Sequence, residues 1–458
     1  AWNGGMVMKL TRESEAKLGT FDYTDFGPPG KVVSDTTGPL GIREIVFANG
    51  LKLDLKPTDL QKDRIQVSLH IDGGQMLDTK EHPLATAMSG ALPVGGLGKH
   101  SYDELQTILA GHAVSFGFGD GERIFRMGGM TTPRDLDLQL ELLAAAISDP
   151  GYRPQGEAQY RRNIENYFAQ LDATPNSALS SKLGGIESDD DPRFTLQPKA
   201  EYLALSFAKL KQAIGGRLDH GALELALVGD FKPNEVIPMV AKTLGALPPR
   251  EKDFLPHEDN RTRTFTADRS LRVIRHTGPA DQAIVLSTWP TEDDTNFDDV
   301  MKLELLQRVA DVELTDDLRE KLGQTYSPGV SAGESRTWHG YGTFTISAEV
   351  ATKDVEAARK AMLATIARLT TQPIDADTLL RARQPLLEAY DNALKTNAGW
   401  MNLVANAQRE PDRIVRFTEG KAKAQAITPA ELQAIAAKYL QPDKRLEIDV
   451  LPKEGAAG

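Results

Sequence analysis

Ile65-Gln66-Val67-Ser68-Leu69 and Ile284-Val285-Leu286-Ser287-Thr288 read as one strand met twice, with Val67 and Leu286 standing 219 residues apart. Apolar residues alternate with polar ones through the first run, the period of a half-buried strand. The offset persists along the chain. Phe125 and Met127, in a strand predicted over Arg123–Met130, fall on Phe344 and Ile346 in Thr343–Val350. The helix opened by Asp135 and carrying Leu143 and Ile147 falls on one opened by Asp354 and carrying Met362 and Ile366. Near the ends, Leu225-Ala226-Leu227-Val228 precedes Leu446-Glu447-Ile448-Asp449 by about 221 residues. Four anchors in one register indicate an internal duplication.

Each repeat reads as strand, helix, hairpin, helix, several further helices and strand. The first hairpin is predicted to join Val114–Phe118 to Ile124–Met127 through Asp120-Gly121, a strong two-residue turn signal. The second runs from Val330-Ser331-Ala332 through 333–336 into Phe344, Ile346, Ala348 and Val350, which alternate toward one face. The class is therefore α+β: two homologous domains, each a mainly antiparallel sheet flanked by helices. We place an extended lead-in at 1–39, the first repeat at 40–250, a charged and poorly periodic linker at 251–264 and the second repeat at 265–458. Phe21, Tyr23 and Phe26 in the lead-in are expected to be apolar anchors for a partner.

The composition of the 458 residues is that of a soluble globular chain. No run approaches the roughly 18 consecutive apolar residues that a membrane-spanning helix needs. Against 65 Asp and Glu stand 53 Lys and Arg, a net charge of -12, and no basic run interleaves with aromatics, so nucleic acid is a poor partner. The absence of Cys excludes disulfides, thiolate nucleophiles and Cys-type metal sites.

No two of the eight His residues stand four apart, as a helical zinc-hydrolase site requires. Asp78-Thr79-Lys80-Glu81-His82 approaches the inverted H-x-x-E-H pattern but has Asp in place of the first His, and Pro83 follows; it reads as a solvated turn. Gly95-Gly96-Leu97-Gly98-Lys99-His100-Ser101 resembles a phosphate loop only superficially, because Pro93 and His100 occupy positions that need Gly and Ser or Thr. It reads as a turn ahead of a helix over 102–109.

Leu318-Arg319-Glu320-Lys321-Leu322-Gly323-Gln324-Thr325-Tyr326 is more informative. A helix capped among Asp293, Asp294 and Thr295 carries Leu305, Val309, Leu314 and Leu318 to a stop at Gly323. Arg319 then lies in a last helical turn, a routine place for a cation, and Tyr326 could simply pack at a strand edge. Matching Gly323 to Gly111 puts Thr107 and Val114 where the second repeat has Arg319 and Tyr326, so the polar pair belongs to one repeat alone.

With these features the chain resembles the insulinase/pitrilysin-type zinc metallopeptidases, in particular the C-terminal half of long bacterial members. The resemblance rests on Phe47-Ala48-Asn49-Gly50-Leu51, Gly73-Gly74, Lys99 through Leu105, Val228-Gly229-Asp230, Phe21 through Gly27, Pro29 through Val33, and above all Leu318 through Tyr326. It implies one half of a clam-shell peptidase, whose zinc sits in the other half on an H-x-x-E-H helix with a downstream Glu. Here the corresponding helix reads Thr86-Ala87-Met88-Ser89-Gly90, and Glu165 alone stands near the downstream position. The resemblance thus implies no metal in this chain and zinc only in a homologous H-x-x-E-H subunit, its heterodimer partner.

It also implies that Arg319 and Tyr326 reach peptide substrates, as catalytic and substrate-binding residues. A phenol aimed at the oxygen of an attacked carbonyl stabilises the charge developing there, and a guanidinium can hold backbone carbonyls. Two other readings stay open: a structural or assembly subunit of the same fold, and a peptide-binding role without hydrolysis. Bacterial relatives lean the setting toward the periplasm over the cytoplasm.

Overall fold

The computed structural model describes residues 19–323 and 326–454. One sheet has seven strands: β1 (Val32–Thr37), β2 (Arg43–Phe47), β3 (Lys52–Pro57), β4 (Ile65–Asp72), β5 (Gly119–Asp120), β6 (Ile124–Thr131) and β7 (Leu223–Gly229), in the order β1-β2-β3-β7-β4-β6-β5. The other has five: β8 (Arg272–His276), β9 (Gln282–Pro290), β10 (Ser327–Glu334), β11 (Gly342–Ala351) and β12 (Leu446–Pro452), in the order β10-β11-β9-β12-β8. Read from opposite ends, β3-β7-β4-β6-β5 and β8-β12-β9-β11-β10 are one topology. Each has a single parallel pair, β3 with β7 and β8 with β12, in an otherwise antiparallel ladder. The register repeats too: Val67 faces Leu227 and Leu286 faces Ile448, as the offsets of 219 and 221 require.

Chain contacts form two compact units. The first comprises the stretch ending at Ile164, Ala200–His257 and Ala393–Ile414; the second comprises Glu165–Lys199, Glu258–Asn392 and the stretch from Val415. Each unit therefore includes a piece of the other repeat. In the first, the helices Leu136–Ser148 and Phe207–His220 bury Leu140, Leu143, Ile147, Leu210 and Ile214 against Leu53, Leu55, Val67, Leu69 and Leu225. A fully buried Leu or Ile contributes about 1.5–3 kcal/mol, so this face dominates the unit's stability. In the second, the 26-residue helix Phe297–Leu322 and the helix Val355–Thr371 cover Val285, Trp289, Phe344 and Ile346. The other face of that sheet, Ile274, Ile284, Leu286, Leu446, Ile448 and Val450, packs on Ala178 of the helix Pro175–Glu187.

Several expectations change. Val114–Phe118 forms no strand, and only Gly119 and Asp120 pair with β6. The buried side chain of Gln139 takes the backbone instead, accepting from Ser115 N at 2.7 Å and donating to Ser115 O at 3.0 Å. The cap of the Phe297–Leu322 helix is Asn296, whose side-chain Oδ1 accepts from Asp299 N at 3.1 Å, such a cap being worth about 1 kcal/mol.

Phe21 and Tyr23 are not free anchors: they are 8% and 7% exposed in the first unit's own core. Tyr23 Oη donates to Asp149 at 2.6 Å and accepts from Lys99 N at 2.8 Å, while Asp22 N donates to His100 Nε2 at 3.0 Å. The Gly-Lys-His segment is thus a seat for the lead-in. Its shape is set by Arg153, whose guanidinium donates to the carbonyls of Gly95, Leu97, Gly98 and His100.

The charged stretch after residue 250 is likewise tied down. Arg217 pairs with Glu251 at 2.7 Å, and buried Asp72 accepts from Leu255 N and His257 Nε2. Arg193 donates to Asn260 and to Thr262 O, and the Arg263 guanidinium lies 4.0 Å from the Phe194 ring centre and 4.4 Å from that of Tyr341. Among the described residues no helix is long and apolar enough to cross a membrane.

Candidate functional site

Arg319 is placed by the Phe297–Leu322 helix. Leu314 and Leu318 are fully buried one turn apart, which leaves Arg319 and Glu320 on the exposed side of the last turn. The helix stops at Gly323, which has φ +89 and donates its N–H to Arg319 O; a side chain there would be strained. Tyr326 follows, half-buried against the second unit's core, and leads into β10, an edge strand whose residues alternate between exposed and half-buried. Arg319 and Tyr326 therefore sit on the two sides of one helix-to-strand connection.

The phenol of Tyr326 donates to the carboxylate of Asp354. Asp354 is the N-cap of the helix Val355–Thr371, yet its side chain caps none of that helix's own amides, so it is available to the phenol. The first unit is built the same way. Asp135, 219 residues earlier, precedes the helix Leu136–Ser148, caps nothing there, and accepts from His112 Nδ1 at 2.8 Å and Ala113 N at 2.9 Å. In each unit the connection after the helix is fastened to the carboxylate that opens the next helix. In the first unit the contact is made by His112, two residues before the Val114 that matches Tyr326. Beside it lies a groove of about 650 Å³ lined by Arg64, Ala113, Met130, Thr131, Arg134 and Asp135.

The segment that would carry a metal-binding helix does not form one. Residues 83–88 are turns, and Ser89–Gly95 is a 3-10 segment. Thr86 donates from both N and Oγ1 to Asp78, at 2.9 Å, and Ser89 is fully buried. Burial pushes Asp78 up to about 6 and Asp120 up to about 7, so both retain protons at mildly acidic pH and are poor ligands there. Glu165 is on the helix Pro154–Ala169 and pairs with Lys199. Among the described residues no group of three or more His, Asp or Glu side chains is placed to hold a metal ion. These residues do not fit a zinc site.

Residues 204–386 match the family described as the peptidase M16 inactive domain. The chloroplastic stromal processing peptidase of Arabidopsis thaliana is 21% identical over 424 residues, which cover 80% of this chain and 33% of that protein. The periplasmic protease PqqL of Escherichia coli superposes with a TM-score of 0.76 at 14% identity, over 95% of this chain and 48% of PqqL. A peptidase M16 inactive domain from Pseudomonas fluorescens superposes with a TM-score of 0.75 at 16% identity, over 90% of this chain and 99% of that one. The match to the M16 inactive domain thus lies within residues 204–386, and the fold of the chain is that of the M16 structures it superposes on. The chain spans about a third of the length of the plant relative and about half of PqqL.

Proposed function

We propose that this chain is the non-metal half of a two-part zinc metalloendopeptidase. It closes over peptides held by a homologous H-x-x-E-H half, in a periplasmic setting. Zinc would be held by that partner, where it would supply Lewis-acid activation of water. This chain supplies Arg319, to hold substrate backbone carbonyls, and Tyr326, to stabilise the oxyanion. The observation that carries the reading is the placement of Arg319 on the exposed turn and Tyr326 at the foot of an edge strand, beside which an extended peptide can lie.

The contact with Asp354 bears on the chemistry. A phenol already donating to a carboxylate is poorly shared with a neutral amide oxygen, because charged acceptors form the stronger bonds. A carbonyl oxygen acquiring full charge is a comparable acceptor. The Tyr326 proton therefore transfers its hydrogen bond only as the transition state forms, which raises kcat in preference to ground-state affinity.

The same contact also favours a second reading, a catalytically inert structural subunit, because it gives Tyr326 a purely structural role. Tyr326→Phe in a reconstituted, zinc-loaded complex separates the two. The peptidase reading expects kcat to fall on the order of a hundredfold, roughly 3 kcal/mol, with little change in KM. Unchanged turnover leaves the structural reading.

A further inference from the structure

The two sheets hold their borrowed segments differently. In the second unit the helix Pro175–Glu187 rests on an apolar face. In the first, residues 393–414 rest on a polar one. Across that face Glu44 stands opposite Asp54, Glu224 opposite His70, and His70 opposite Arg126. Asp54 and Glu224 have no exposure, and among the described residues neither is paired with a cation: Lys52, directly opposite Glu224 in register, directs its ammonium to Asp253 at 3.3 Å. Two adjacent carboxylates without a counter-ion cannot both be ionised in a buried site.

The segment closes directly over this pair. Gln408 N donates to Glu224 Oε2 at 2.9 Å, and Gln408 Nε2 donates to Asp54 Oδ1 at 2.9 Å and to the carbonyls of Ile45 and Leu53. Those donors engage one oxygen of each acid. The remaining two, Asp54 Oδ2 and Glu224 Oε1, are buried and receive no donor, although the two acids are hydrogen-bonding neighbours. A single proton held between them satisfies both. Away from the pair the segment is attached by neutral or peripheral contacts: Thr58 to Asn397 at 2.5 Å, Lys56 over the Trp400 ring at 4.4 Å, and Arg409 over Phe254 at 4.7 Å.

We propose that Asp54 and Glu224 share one proton, that this proton seats residues 393–414 on the first sheet, and that the segment is released as pH rises. The inference is independent of the peptidase reading. The other charges on this face set the direction. Glu44 on β2 is itself pushed up by burial and Glu224, so it adds negative charge as pH rises. His70 on β4 is held neutral, down to about 3, by burial, Arg409 and Arg126, so it offers no compensating cation. Arg409, Glu410 and Arg413 are occupied with one another, with Asn406 and with the His70 ring. Burial and the neighbouring Glu224 hold Asp54 well above the usual carboxylate range. The seated state therefore binds a proton that the released state gives up, and seating weakens as pH rises.

Amide hydrogen exchange of the whole chain between pH 5.5 and 9, read on peptides from 397–410, tests this. After correction for the tenfold-per-unit rise in intrinsic exchange, the opening constant of this segment should climb with pH, approaching tenfold per unit as one proton is lost. Peptides from the Phe207–His220 helix, which packs on the opposite, apolar face of the same sheet, serve as the reference and should stay flat. Asp54→Asn supplies a permanent donor to Glu224, so it should keep the segment protected at pH 9 and abolish the slope. Glu224→Gln is the second, independent variant with the same expectation. A flat wild-type profile, or a slope that persists in both amide variants, would overturn the proposal.

Discussion

The hydroxyl of Tyr326 is bonded to the carboxylate of Asp354, 28 residues further along, and His112 is bonded to Asp135 in the same way in the first unit, at 2.8 Å. The clasp is thus a loop fastening present in both units, made by an imidazole in one and a phenol in the other. The Asp354 contact should be worth measuring energy. Tyr326→Phe and Asp354→Ala should each destabilise the isolated chain, and the double variant should lose less than their sum. A coupling of about 1–2 kcal/mol in urea unfolding is expected for a hydrogen bond to a charged group. Strict additivity would show that the contact contributes nothing.

Among the described residues the Arg319 side chain has no comparable attachment on its exposed turn. Arg319→Ala should therefore leave the unfolding midpoint within about 0.5 kcal/mol of wild type, as surface substitutions do. In the assembled peptidase the same change should raise KM and lower kcat/KM, because a guanidinium holding backbone carbonyls acts in both the ground and transition states. Normal KM with lowered stability is the opposite pattern, that of a helix-end cation alone.

Tyr23 joins the lead-in to the body of the first unit. Burial and the Asp149 contact raise its phenol far above the ordinary range, so it remains a neutral donor at any working pH. Tyr23→Phe leaves Asp149 Oδ2 and Lys99 N each short of a partner and should cost about 1–3 kcal/mol. The loss should appear as faster cleavage within residues 19–30 under limited proteolysis, with the second unit unaffected.

Glu187 is 8% exposed, and burial raises it to about 7 against the opposing pull of Arg263 and Tyr341. A carboxyl raised on folding contributes stability that is full below its unfolded value, near 4.5, and is lost as pH rises through about 7. Melting temperature should therefore decline from pH 5 to 8. Glu187→Gln, which cannot ionise, should make that decline shallower. An unaltered profile in the variant would mean that Glu187 is ionised throughout.

Partnership has its own test. Mixed at micromolar concentration with a homologous H-x-x-E-H chain, this protein should elute as a 1:1 complex, and metal analysis should place the zinc on the partner. Two separate peaks, or stoichiometric zinc retained by this chain alone, would contradict the proposed division of labour.

Much of this was legible in the residues, and the gaps have a common cause. Strand alternation and helix-opening aspartates are local signals, so β4 with β9, β6 with β11, and the helices after Asp135 and Asp354 could be read directly. The hairpin strand at Val114–Phe118 was misread because its competitor, Gln139, lies a helix away. Arg250 through Arg263 read as a charged, poorly periodic linker, and its contacts were not legible because the partners, Asp72, Arg193 and Arg217, are far off in sequence. Gln408 carried no signal at all, since its acceptors at 45, 53, 54 and 224 are 184 or more residues away in sequence. Arg319 and Tyr326 are candidates that rest on family motifs, whereas Asp354 reads only as a helix opener, with nothing to mark it as the phenol's acceptor.

The route of the backbone has a consequence for dissecting the molecule. It passes between the two units at residues 164–165, 199–200, 257–258, 392–393 and 414–415. A cut at the apparent boundary near 250 therefore yields two fragments, each carrying a piece that completes the other and lacking one it needs. Neither should refold alone, yet the two together should reassemble when mixed. The duplicated chain is accordingly one heritable module: recombination at the midpoint breaks both copies, and only an exchange of the whole stretch leaves either intact.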